Sequence, residues 1–133
     1  GNLFETIGNE IFTQLFHLEL KDIIDDDLST FEQFDQHIVQ KGKAFIAIEY
    51  KNRSYDAKQY EFEKYFRRLE SLGLSKAIIV NSLPLEDKKD AQCHLEIRDD
   101  YMILVVPYLL DKKLNFCSNF TKEIQQFIQG ELE

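Results

Sequence analysis

The chain predicts an α/β fold in which a mixed β-sheet is flanked by helices, and three observations carry that expectation. Apolar residues recur at three- and four-residue steps near the amino terminus and again in the middle of the chain, the spacing of amphipathic helices. Two strongly apolar runs, "KAIIVNS" and "YMILVVPYLL", read as strands, the first of the kind expected in the middle of a sheet. Between the two helical stretches, "FEQFDQHIVQKGKAFIAIEYKN" reads as two strands around a short turn containing Gly42. An antiparallel hairpin, a helical crossover and a buried strand together require both parallel and antiparallel pairs.

Each element has its own justification. "NLFETIGNEIFTQLF" places Leu3, Ile7, Ile11 and Leu15 on one stripe, widened by Phe4, Phe12 and Phe16. Glu5 and Glu10 fall on opposite margins of that face, Glu5 beside Phe12 and Phe16, and either acid could reach a cleft. "HLELKDII" alternates loosely enough for a strand, and "DDDLST" is a polar break after it. Past the hairpin, "NRSYD" interrupts the pattern and offers Ser54 or Asp56 as a helix cap. "AKQYEFEKYFRRLESL" then sets Tyr65, Phe66, Leu69 and Leu72 on a helical face that Gly73 ends. "LPLEDKKDAQCHLEIRDD" is mixed, a loop with some helix or an edge strand. Pro107 ends the last apolar run, or confines it to an edge beyond that point, and "TKEIQQFIQGELE" docks a final helix through Ile124, Phe127 and Ile128.

A length of 133 residues suits one domain spanning 1–133, and a 44% hydrophobic composition with 11 Phe and 6 Tyr excludes disorder as the main state. Gly1 in place of an initiating Met points to a processed chain or one excised from a longer protein. No apolar run approaches the roughly 20 residues that span a bilayer, and no signal-peptide pattern opens the chain, so the expectation is a soluble cytoplasmic protein with no membrane partner. Cys93 and Cys117 lack metal-binding spacing and read as free thiols. The formal charge of -8, from 24 acids against 16 bases, opposes strong nonspecific attraction to a phosphate backbone.

Within "FIAIEYKN" an acid and an amine interrupt an apolar strand. Strand alternation puts residues 45, 47, 49 and 51 on one face, so Glu49 and Lys51 point the same way. A lone "ExK" is common at the wet end of a strand, and its neighbours decide its meaning. With a three-residue loop of Lys41, Gly42 and Lys43, Gln40 faces Ala44 and Asp35 lies opposite Glu49. A two-residue loop of Lys41 and Gly42 pairs Asp35 with Ile48 instead, on the wrong face, unless a bulge restores the phase. Two opposed carboxylates are destabilising unless something positive stands between them, which a divalent cation would supply.

The stretch resembles the core signature of the PD-(D/E)XK nuclease superfamily, with Asp35 on one strand and Glu49, Lys51 and Asn52 on the next. The likeness covers roughly residues 3 to 82. It departs from the family at Phe34, where a Pro often stands, and "DDD" at 25–27 offers rival acids. The resemblance implies a restriction endonuclease-like α-β-β-β-α-β core and an Mg²⁺- or Mn²⁺-dependent endonuclease or exonuclease acting on nucleic acid, with DNA favoured over RNA. It also implies metal ligands Asp35, Glu49 and the Tyr50 carbonyl, with catalytic Lys51 and a contributing acid on the first helix, Glu5 preferred over Glu10. Gln59 sits where some relatives carry a helix Gln, and Asn52 and Arg53 adjoin the lysine, so these three are the candidate substrate-binding residues.

Arg53, Lys58, Lys64, Arg67 and Arg68 form the appreciable basic neighbourhood near that site, a face that is ordinarily just solvated. A homodimer, or an additional domain or partner, would then supply the grip on DNA. The competing expectation keeps the fold without the activity, as a protein interaction or assembly module. A nucleotide-binding domain is disfavoured, because no Gly-rich phosphate loop exists among only 5 glycines.

Overall fold

The computed structural model describes residues 2–21, 34–51, 59–82 and 91–130. Among them are α1 (Asn2–Gln14), β1 (Glu19–Lys21), β2 (Gln36–Gln40), β3 (Lys43–Lys51), α2 (Gln59–Leu72), β4 (Lys76–Asn81), β5 (His94–Arg98), β6 (Tyr101–Val106) and α3 (Thr121–Gln129). The strands form one six-stranded sheet in the order β1-β2-β3-β4-β6-β5. The pairs β3/β4 and β4/β6 are parallel and the others antiparallel, so the sheet is mixed, as the hairpin and crossover require. No helix among the described residues is long and apolar enough to cross a membrane.

Side-chain alternation sorts the core into two layers. On one face Ile46, Ile48, Ile78, Val80, Leu104 and Val106 pack with Ile11 and Phe12 of α1 and Ile124 and Phe127 of α3. On the other, Ala47, Ala77, Ile79, Ile103 and Val105 pack with Phe62, Tyr65, Phe66 and Leu69 of α2. Both faces of β4 and β6 are thus covered, which is why those strands read as unbroken apolar runs. Within the mixed stretch between β4 and β6, His94–Arg98 form edge strand β5 while residues 83–90 lie outside the described residues, and β6 stops at Val106, just before Pro107.

The helices end by local chemistry. Gly73, at φ +70, closes α2 in a Schellman arrangement: the Leu74 N–H donates to the Leu69 carbonyl at 3.0 Å and the Gly73 N–H to the Glu70 carbonyl at 3.2 Å. The Leu69 and Leu74 side chains share the apolar layer beneath that turn. At the end of α3 the Lys76 ammonium donates to the Phe127 carbonyl at 3.0 Å, placing a cation at the negative end of the helix dipole. The proposed caps Ser54 and Asp56 and the acids at 25–27 lie outside the described residues.

Candidate functional site

The hairpin geometry comes first, since it decides whether the two acids meet. Lys41 and Gly42 both have positive φ, 53° and 78°, and Gln40 pairs with Lys43, which is a two-residue loop of the type favoured by right-twisted strands. The three-residue loop is therefore not the route. That register alone would set Asp35 against Ile48. Between Ile38 and Val39 the register shifts, with Val39 opposite Ala44 but Ile38 opposite Ile46, leaving Phe45 as the extra residue of a bulge. Gln36 then pairs with Ile48, and continuing one step sets Asp35 against Glu49. The bulge also corrects the expectation that Phe45 shares a face with Ala47: Phe45 packs with Ile46 on the α1 side of the sheet.

Asp35 lies just before β2 begins, where the ladder to β3 runs out. Its carboxylate takes the place of a ladder partner, with the Tyr50 N–H donating to Asp35 Oδ2 at 2.7 Å. This charge-assisted bond fixes one acid to the strand that carries the other. Glu49 projects toward α2 and is only 7% exposed. Its Oε2 lies 3.6 Å from Lys51 Nζ and 3.2 Å from Arg68 Nη1. Burial, then the charge of Asp35, raise the Glu49 carboxyl to about 7, a hydrogen bond with Asp35 adding to the shift, while Lys51 and Arg68 pull the other way without cancelling it.

Arg68 is the residue that sequence reasoning undervalued. It belonged to a helix face expected to be solvated, yet it is 7% exposed and bonds Glu49 from across the layer. The signal was its spacing: three positions after Tyr65 and adjacent to Leu69, it falls on the buried side of α2. Lys51 Nζ, Lys64 Nζ and the Arg68 guanidinium carbon lie 5.8, 5.1 and 5.4 Å from the centre of the buried Tyr65 ring. Arg67 is exposed.

Other predicted residues fall outside this cluster. Glu5 stands on α1, across the sheet from the Glu49 side chain. With Asp35, its charge helps to hold the Tyr50 phenol protonated, after the larger effect of burial. Tyr50 packs edge-on against Phe4, and its hydroxyl donates to Asn9 Oδ1 at 2.7 Å. Glu10 is exposed, and Gln59 is the exposed first residue of α2, five positions before Lys64. Asn52, Arg53 and Lys58 lie outside the described residues. His37 sits opposite Ala47 with its Nε2 buried and without a partner among the described residues, and burial lowers its pKa to about 4, so it is neutral at pH 7.

As a cation site the donor set is partial. Asp35, Glu49 and the Tyr50 carbonyl are hard oxygens of the kind Mg²⁺ and Mn²⁺ take, and the repelling carboxyls are a place where positive charge is favourable. Among the described residues no three His, Cys, Asp or Glu side chains gather around one point, so water and substrate oxygens would have to complete the shell, as is usual for Mg²⁺. A scan of protein-family models finds no match to the chain, and a search of curated proteins finds none either.

Proposed function

We propose that the chain is a metal-dependent nuclease of the PD-(D/E)XK type, hydrolysing phosphodiester bonds in nucleic acid, with DNA the favoured substrate. The observation that carries this reading is the bulge-corrected register that sets Asp35 against Glu49 with Lys51 on the same face. The element order from α1 to β4 supports it, being helix, three strands, helix, strand.

Asp35 and Glu49 would hold a Mg²⁺ or Mn²⁺ ion, with the Tyr50 carbonyl as a third oxygen. When bound, the ion would polarise the phosphate and acidify a water. The protein's own part is electrostatic and geometric. Glu49 must surrender its proton to serve as a ligand, and the Tyr50 N–H keeps Asp35 turned toward that strand. Lys51, partly exposed at the end of β3, is placed to orient the attacking water or to neutralise charge developing on the phosphate. Glu5 is a candidate for the opposite side of the strand end, through water, because it already acts on Tyr50.

One observation favours a second reading, in which the fold serves as an interaction or assembly module. The Arg68 guanidinium already occupies one oxygen of Glu49, partly supplying the positive charge that the acids call for. Two measurements separate the readings. Titration calorimetry with Mn²⁺ should show binding in the native chain and its loss in Asp35→Ala and Glu49→Ala; negligible heat in all three would favour the module. Incubation of single-stranded, double-stranded and branched DNA with Mn²⁺ should give products that Glu49→Gln and Lys51→Ala abolish. Cleavage unaffected by either substitution would exclude this site as its source.

A further inference from the structure

We infer that Lys64 and Arg68 of α2, with Lys51 of β3, form a phosphate-binding subsite that grips a nucleic-acid strand beside the carboxylate pair, an assignment that rests on the nuclease reading for the identity of its ligand. Three cations gather around one tyrosine ring in a chain whose formal charge is -8. Solvated helix cations separate from one another; these converge. Glu49 is within ion-pair distance of Lys51 and Arg68. Lys64 has its pKa lowered by burial first and then by the charges of Arg68 and Lys51, with Glu49 and Glu61 pulling the other way, so the three cations act on one another.

Two further features point to an anion. Arg68 is more than nine-tenths buried, and its Nε is buried without a partner among the described residues, while Nη1 engages Glu49. A guanidinium presents its donors as a fork suited to the oxygens of a phosphate, and here one tine is unused. Lys64 and Arg68 are four residues apart and so lie one above the other on the helix, with Lys64 nearer solvent. Tyr65 is fully buried, which excludes it as a stacking platform for a base. Its ring instead steadies the cations, offsetting part of their repulsion. The ligand that suits this arrangement is a multi-oxygen anion entering from the Lys64 side, and a strand phosphate next to the one held at Asp35 and Glu49 meets that description.

The test is fluorescence anisotropy with labelled single-stranded and duplex oligonucleotides in EDTA, repeated over a range of salt, alongside a cleavage assay with Mn²⁺. Lys64→Ala should weaken binding several-fold at low salt. On duplex DNA it should also make the slope of log K against log salt shallower by about 0.9, the signature of one lost phosphate contact. Lys64→Arg should restore both quantities, and Lys122→Ala, an exposed lysine on α3 across the sheet, should change neither. An unchanged affinity and slope in Lys64→Ala, or no DNA binding by the native chain, overturns the subsite. If the native chain still cuts DNA and Glu49→Gln does not, the nuclease reading survives that loss. An altered slope with no cleavage under any condition leaves the phosphate subsite standing and removes the hydrolytic role.

Discussion

Arg68 Nη1 lies 3.2 Å from Glu49 Oε2, and both side chains are buried between the sheet and α2. The pair joins a helix to a strand through charge, at a point where Asp35 pushes in the opposite direction. The stability of this layer and the readiness of the site to accept a cation are therefore coupled through one carboxyl.

Metal binding should depend on pH through Glu49. Its folded pKa is raised to about 7 from 4.5, so a ligating Glu49 must release a proton below that value. Apparent Mn²⁺ affinity should rise by up to about tenfold per pH unit approaching neutrality, then level off. Calorimetry in buffers of different ionisation enthalpy checks this. An affinity that is flat from pH 5.5 to 8, with no proton release, would count against it.

The same shift has a stability consequence with a definite sign. The folded state binds the Glu49 proton more tightly than the unfolded chain, so the contribution is full below pH 4.5 and is lost as pH rises through about 7. Urea denaturation of the native chain should show this loss, and Glu49→Gln should remove that portion of the pH dependence.

Replacing Arg68 with Met strips a buried carboxylate of its closest cation. At pH 8 the cost should be about 3–5 kcal/mol, typical of breaking one side of a buried pair. At pH 5.5, with Glu49 largely protonated, the loss should be much smaller. Equal losses at the two pH values would show that Arg68 acts by packing alone.

Gly8 meets Tyr50 too closely for any side chain: a Cβ there would lie 2.8 Å from the ring Cζ, closer than real Cβ atoms come. Gly8→Ala should cost about 1–3 kcal/mol and displace the Tyr50 ring from Asn9. Combining it with Tyr50→Val should cost less than the sum of the two changes, measured by thermal or chemical denaturation. Strict additivity would mean that the two residues are not in conflict.

Lys51→Ala should separate chemistry from metal binding. Loss of a proton-transfer group typically lowers turnover by about 10²- to 10⁴-fold, with Mn²⁺ affinity unchanged or raised because a competing charge is gone. Single-turnover cleavage paired with calorimetry tests both halves, and a parallel loss of metal affinity would reassign Lys51 to a structural role.

Periodicity alone made most of the architecture legible. Ile7 and Ile11 marked α1, Tyr65, Phe66 and Leu69 marked α2, and the apolar runs of β4 and β6 announced strands, that of β4 one from the middle of the sheet, because burial imposes its period directly on the chain. The facing of Glu49 and Lys51 followed from the same alternation. What folding decided was phase and partnership. Asp35 meets Glu49 because a bulge at Phe45 compensates a two-residue turn, a cancellation of two offsets that no local pattern displays. Arg68 reaches Glu49, and the charge of Glu5 acts on Tyr50 instead, because α1 and α2 lie on opposite faces of the sheet. Such contacts join residues far apart in the chain, and their energies depend on burial and neighbouring charge, which exist only once the layers have closed.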